Sequence, residues 1–229
     1  MPSQSHAVVN LGNPVPQTLG ELVVRACALE GQSVADLAAR LWLVLPTESR
    51  RAKGLVGMLV ERTLGADAGS RDEPDFRALG VELKTVPVGP RGSPAESTFC
   101  CSIHMASADR ECWDTSRLRR RLARVLWVPV QSARVAPLPQ RIFGRSSLWV
   151  PTPGQWELLR GDWEQRMGAI GAGWSADLCG ELGRVLQVRP KGANAQARVW
   201  GAGPDGPQRV PPLGFYLRPA FTGGLLAAP

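Results

Sequence analysis

The chain has 229 residues, 44% of them hydrophobic and 21% charged, the balance of a folded globular protein rather than of a disordered or collagen-like one. No stretch approaches the roughly 18 uninterrupted apolar residues of a membrane span. The first fifteen residues hold neither Lys nor Arg and no apolar block, so no secretory leader is expected. The reading is a cytoplasmic domain without a membrane. Lys plus Arg number 27 against 20 Asp plus Glu, a net charge of +7 that favours a polyanionic partner.

The 27 basic residues divide into 24 Arg and three Lys, namely Lys53, Lys84 and Lys191. A lysine is a compact point charge whose pKa burial can tune, which a guanidinium is not. The five cysteines (Cys27, Cys100, Cys101, Cys112 and Cys179) show no C-x-x-C spacing, and two histidines cannot complete a zinc site with them. They read as free, mostly buried thiols.

Residues 1–16 are polar, with Pro14 and Pro16, and read as a disordered tail. Thr18 and Glu21 have capping-box spacing ahead of a first helix, and Ser33 and Asp36 open a second that runs through Trp42. A third is expected from about Lys53 to Leu64, stopped by Gly65. Residues 81–86 alternate as a strand, 87–94 read as a turn and 98–103 as a second strand, so the two are expected to form a hairpin. A helix over 113–123 is capped by Thr115 or Ser116. Extended segments follow at 125–128 and 147–150, and Thr152 with Gln155 caps a long helix carrying Trp156, Leu159, Trp163, Met167 and Ile170. A strand at 185–188, a short helix at 193–200 and a strand at 214–218 complete an α+β (α/β) chain with a central mixed sheet.

The chemistry gathers early. On a strand, residues i and i+2 share a face, so Glu82 and Lys84 point the same way. Asp75, in the preceding turn, can fold back over them. Two converging carboxylates make a hard-oxygen site for Mg²⁺, to which the Leu83 carbonyl could add a ligand. Lys84 would then orient the attacking water and offset charge on a phosphorane-like transition state. Glu61, on the third helix, is a candidate further acid. Arg117, Arg119, Arg120, Arg121 and Arg124 include no acid among them and suit a phosphate backbone.

The run from Lys53-Gly54-Leu55-Val56-Gly57 through Glu61, Asp75-Phe76 and Gly80-Val81-Glu82-Leu83-Lys84-Thr85 closely resembles the MutH family. So do residues 124–130, Val188-Arg189-Pro190-Lys191 with Asn194, and Gly214-Phe215-Tyr216-Leu217. The likeness spans Thr18 to Leu226. It implies a restriction-endonuclease-like PD-(D/E)xK fold, with two lobes around a DNA cleft, and Mg²⁺ as cofactor. The implied reaction is nicking of the unmethylated strand at hemimethylated GATC sites in double-stranded DNA, with activation by MutL and, through it, MutS.

By the same resemblance Asp75, Glu82 and Lys84 are the catalytic triplet, Glu61 an additional acid and Lys53 a lysine near the active site. Arg189, Pro190, Lys191 and Gly192 form the loop that meets the bases, Tyr216 senses adenine methylation, and Phe99 enters a minor groove. Arg119, Arg120 and Arg121 are expected on phosphates from the acid-free arginine run itself, and Arg121 stands where the resemblance leads one to expect a lysine. A nuclease domain over 17–229 is expected to act as a monomer. Its catalytic lobe would occupy roughly 17–150 and its DNA-recognition elements 185–218. Two alternatives stand beside this reading: a stand-alone GATC-specific restriction endonuclease and a catalytically silent DNA-binding adaptor.

Overall fold

The computed structural model describes residues 12–46, 54–174, 183–203 and 206–227. Three helices lead: α1 (Leu19–Cys27), α2 (Val34–Arg40) and α3 (Leu55–Leu64). The Thr18 hydroxyl accepts from the Glu21 N–H at 3.1 Å, and Ser33 and Asp36 form a reciprocal capping box, both as their spacing predicts. α3 is bracketed by Gly54 and Gly65, with φ of 81° and 84°, a left-handed conformation that costs glycine nothing. Residues 12–16 do not trail away from the fold. Asn13 donates its backbone N–H to the Arg62 carbonyl at 3.1 Å and its side-chain amide to the Thr63 carbonyl at 2.7 Å.

The remaining elements are β1 (Glu82–Val88), β2 (Thr98–Ser102), α4 (Arg117–Leu122), β3 (Val125–Gln131), β4 (Ser147–Trp149), α5 (Pro153–Gly171), β5 (Leu186–Pro190), β6 (Val199–Gly201), β7 (Gln208–Val210), β8 (Leu213–Leu217) and α6 (Pro219–Ala227). A mixed sheet has the order β1-β3-β4, with β1 parallel and β4 antiparallel to β3. A second, antiparallel sheet has the order β2-β8-β5, and β6 pairs with β7 as a ribbon.

Apolar residues lie on both faces of the mixed sheet. Leu83, Leu126 and Val128 join α1, α2 and α3 in one core. Val86, Val125 and Trp127 join α4, α5 and the second sheet in the other. This explains why β3 reads in sequence as a continuous apolar run rather than an alternation.

Four expectations are corrected. Residues 81–86 and 98–103 do not form a hairpin. The turn does reverse the chain, with the Gly89 N–H on the Ser93 carbonyl at 2.8 Å, but antiparallel pairing stops at a Val88–Pro94 bridge. Pro87 and Pro94 have no N–H to carry a ladder further. β1 instead pairs with β3, and β2 crosses to β8.

Residues 193–200 do not form a helix. The Asn194 side chain accepts from the Gln196 N–H at 3.1 Å, a local turn that competes with helix, and Val199 and Trp200 pair with Val210 and Arg209. The helix expected over 113–123 is broken: a 3-10 turn spans Trp113–Thr115, and extended Ser116 caps α4 by accepting from the Arg119 N–H. Two of the thiols, Cys27 and Cys112, are exposed rather than buried, while Cys100 and Cys101 are buried. Among the described residues no helix is long and apolar enough to cross a membrane.

Candidate active site

β1 sets two charged side chains on one face, opposite Val125 and Trp127 of β3. The Lys84 Nζ lies 2.7 Å from the Glu82 Oε1, and Glu82 is only 2% exposed. Asp75 reaches the same strand from the loop before it. Its backbone carbonyl accepts from Asp67 and Ala68, and the next residue, fully buried Phe76, bridges back to Val81. That anchoring turns the Asp75 carboxylate onto the Leu83 N–H at 2.7 Å. The fold-back expected from the sequence is therefore made by an aromatic anchor and one backbone hydrogen bond.

The acids crowd each other. Burial, and then the neighbouring Glu82 charge, push the Asp75 carboxyl up to about 6. Burial also raises Glu61, which α3 brings within electrostatic reach of both Lys84 and Glu82. A second cation reaches Glu82: the Arg121 guanidinium of α4 lies 2.6 Å from its Oε2. Sequence reasoning placed Arg121 on DNA phosphates, yet its side chain is 14% exposed and turned inward.

The other wall comes from the second sheet. Tyr216 of β8 lies between Phe99 of β2 and Gln187 of β5 in register. The Phe99 and Tyr216 rings meet edge to face with centroids 5.3 Å apart. Lys191 holds its Nζ 4.3 Å from the Phe99 centroid, and the Arg189 guanidinium lies 5.9 Å from that of Tyr216.

Backbone geometry makes this stack possible. The Lys191 N–H donates to the Pro212 carbonyl at 2.7 Å. A Cβ at Gly192 would come within 2.6 Å of the Ala197 Cβ, and one at Gly214 within 3.0 Å of the Phe99 ring. Gly214 was not singled out from the sequence. Only the close approach of the Phe99 ring to β8 reveals the need for it.

A cleft of about 500 Å³ joins the two walls. Glu61, Leu83 and Lys84 line one side, and Glu96, Phe99, Arg189, Lys191 and Tyr216 the other. Of the expected site residues, Pro190 is exposed at the end of β5. Arg120 is exposed on α4, and Arg119 lies 5.5 Å from the Trp156 ring. Lys53 lies outside the described residues.

The deciding observation is a likeness along the whole chain. The family model described as "DNA mismatch repair enzyme MutH" matches residues 64–162. The "DNA mismatch repair protein MutH" of Histophilus somni is 44% identical over 92% of this chain and 95% of its own length. Those of Serratia proteamaculans, at 44% over 93% and 94%, and Yersinia enterocolitica, at 43% over 96% and 97%, agree. The chain belongs to the MutH family. It is thus a strand-nicking endonuclease of DNA mismatch repair, on a mixed α+β fold of the restriction-endonuclease-like kind.

MutH-family nucleases use a divalent metal, and the donor set can be tested for one. Among the described residues no group of three His, Cys, Asp or Glu is arranged as a metal site. Two carboxylates are nonetheless close enough for one to raise the other, beside a backbone that lines an open cleft. Two hard carboxylates beside a cleft with room for water and phosphate fit a magnesium-type ion, with Lys84 and Arg121 offsetting part of the charge on Glu82.

Proposed function

We propose that this MutH-family enzyme hydrolyses a phosphodiester on the unmethylated strand of hemimethylated GATC sites, using Mg²⁺ held by Asp75, Glu82 and the Leu83 carbonyl. The observation that carries this reading is the shared cleft. Lys84, Leu83 and Glu61 line one wall, with Glu82 bonded to Lys84 and Asp75 to the Leu83 N–H just behind it, and Phe99, Tyr216, Arg189 and Lys191 line the other, so one DNA segment can meet both groups. Residues Pro74-Asp75 and Glu82-Leu83-Lys84 supply the letters of a PD-(D/E)xK centre. The two cores on opposite faces of the mixed sheet support a two-lobed nuclease domain over 17–229, with a catalytic lobe to about residue 150 and recognition elements in 185–218.

A bound divalent ion supplies Lewis acidity at the scissile phosphate. The protein's own groups do the rest. The Leu83 N–H fixes the Asp75 carboxylate, and Arg121 and Lys84 hold both oxygens of Glu82. Lys84 stands over the cleft, where its ammonium orients water and offsets the charge that builds on the phosphoryl oxygens as water attacks and one P–O ester bond breaks. Glu61 is the further acid and Lys53 a further cation of the centre.

On the reading wall only one feature changes with methylation: an adenine N6 hydrogen becomes a methyl group in the major groove. Arg189, Pro190, Lys191 and Gly192 form a short, tied-down segment whose carbonyls can accept from a free N6–H. Tyr216, wedged between Phe99 and Arg189, leaves little room for the methyl. Burial raises the Tyr216 phenol, so its hydroxyl stays a donor at neutral pH. Arg120 contacts the backbone from the exposed side of α4, and Arg119, against Trp156, adds positive charge to the same helix. The enzyme works in the cytoplasm as a monomer, recruited and activated by MutL, with MutS acting through it.

Nicking of hemimethylated and fully methylated plasmids, with and without MutL and with Mg²⁺ present or chelated, tests this reading. Nicks confined to the unmethylated strand and raised by MutL are expected. Unaided cutting of both strands would favour the restriction-enzyme alternative, and DNA binding without any cutting would favour the adaptor.

A further inference from the structure

The loop just before Asp75 carries a carboxylate that the active site does not use. Asp72 lies on the outer end of α4, with its Oδ1 2.6 Å from the Arg117 Nε and 3.4 Å from an Arg121 NH2, and its Oδ2 3.9 Å from an Arg120 NH2. Three guanidiniums from five consecutive residues of one helix thus converge on a single anion. They surround a cavity of about 80 Å³, completed by Glu73 and Pro74. Partial burial opposes the Asp72 charge, but Arg117 and Arg121 outweigh it and hold the carboxyl below its ordinary value.

The arrangement is not explained by stability. Asp72 is 43% exposed and Arg120 61%, and ion pairs that open to solvent contribute little. Charge does not balance either: Arg121 is shared with Glu82 and Glu73 pairs with Arg77, which leaves Asp72 as the ion-pair partner of both Arg117 and Arg120 among the described residues. What the geometry does match is an oxyanion ligand. Guanidinium N–H groups seek oxygens in their own planes, and a carboxylate and a phosphodiester each present two such oxygens.

We propose that Arg117 and Arg120 form a subsite for one DNA backbone phosphate, and that Asp72 stands in for that phosphate while DNA is absent. The proposal rests on the reading that α4 lies along the backbone. It also sharpens that reading, because Arg119 is turned toward Trp156 and Asp114 and Arg121 is shared with Glu82. On binding, a phosphate takes the place of the carboxylate, and Asp72 is released into solvent three residues from Asp75. The stand-in keeps the cationic helix from holding random duplex tightly, since every encounter must first displace it.

The test is affinity for a duplex lacking GATC, measured without divalent metal over a range of salt. Asp72→Asn should tighten binding by roughly three- to five-fold at low salt, the upper part of the range that corresponds to losing one exposed ion pair from the free state. Glu73→Gln removes the same charge one residue away and should change affinity less than about two-fold. In the Asp72→Asn background Arg117→Ala and Arg120→Ala should weaken binding more than they do in wild type. Asp72→Ala provides a second variant with the same expected sign.

Tightening equal to that of Glu73→Gln would reduce the effect to general charge and overturn the proposal. Weaker binding by Asp72→Asn would mean that Asp72 orients the arginines instead of replacing a phosphate, which also overturns it. If Arg117→Ala and Arg120→Ala leave affinity unchanged in the Asp72→Asn background, α4 is off the backbone, and the proposal falls together with the reading beneath it.

Discussion

The Arg121 guanidinium lies 2.6 Å from the Glu82 Oε2, so a residue that sequence reasoning assigned to the DNA backbone is in fact a counter-ion of the buried acid. Removing one partner of a nearly buried pair leaves the other charge uncompensated, and that costs more than the pair contributes. Arg121→Ala should therefore lower the melting temperature and cut nicking at least about ten-fold through misplacement of Glu82. Its slope of log affinity against log salt should hardly change, whereas a lost phosphate contact would make it shallower by roughly 0.9. Arg121→Lys should recover part of the rate. Salt-dependent binding alongside nicking rates checks this, and a shallower slope with unchanged nicking would return Arg121 to the backbone.

Asp75→Asn, Glu82→Gln and Lys84→Ala should each abolish detectable nicking while leaving affinity for GATC duplexes within a few-fold of wild type. These groups serve the transition state more than the ground state, so the loss belongs in rate. Single-turnover nicking and equilibrium binding of each variant would decide it, and near-normal nicking by any one removes that residue from the centre.

Asp75 gives a pH-dependent stability with a definite sign. Its carboxyl is raised from 3.8 to about 6 in the folded protein, so between those values the native state binds more protons than the unfolded one. Asp75 therefore makes the protein less stable as pH rises from about 4 through about 6. Asp75→Asn should melt above wild type at pH 7.5, with the gap closing toward pH 5. Mg²⁺ should raise the wild-type melting temperature at pH 7.5 and have little effect on the variant. Thermal melts across pH, with and without Mg²⁺, measure both effects, and a constant gap would show that Asp75 is not crowded.

On the reading wall, Gly214→Ala should be more damaging than its size suggests. The new methyl would sit 3.0 Å from the Phe99 ring and 3.1 Å from the Cys101 carbonyl, so it is the ring that must move. Such overpacking costs about 1–3 kcal/mol, which here should appear as a loss of GATC affinity of roughly five-fold or more with little change toward random duplex. Affinities for the two duplexes test it, and an equal loss on both would make the effect structural.

Tyr216→Ser should narrow the difference in nicking rate between unmethylated and hemimethylated sites while leaving Mg²⁺ dependence unchanged. Lys191→Ala should instead depress nicking at every GATC site, because it removes an anchor common to both substrates. Rates of both variants on both substrates are the measurement, and wild-type behaviour in both would move methyl sensing elsewhere.

Local rules explain what the sequence by itself determined. The caps at Thr18, Ser33 and Thr152, the glycine stop at Gly65 and the shared face of Glu82 and Lys84 depend on neighbours within four residues, and all are present. The apolar stripe of α5 is legible for the same reason. Partner choice is not local. Alternation in residues 81–86 fixes which side chains share a face but not that β1 lies parallel to β3, and nothing near residue 98 says that β2 joins β8. Long-range pairing also decides the chemistry. Only the placement of α4 against β2, within side-chain reach of Glu82 and of the loop at 71–74, divides one arginine run into a counter-ion for Glu82, a clasp on Asp72 and a cation over Trp156. Charge at a distance depends on three-dimensional proximity, and one dimension of sequence does not contain it.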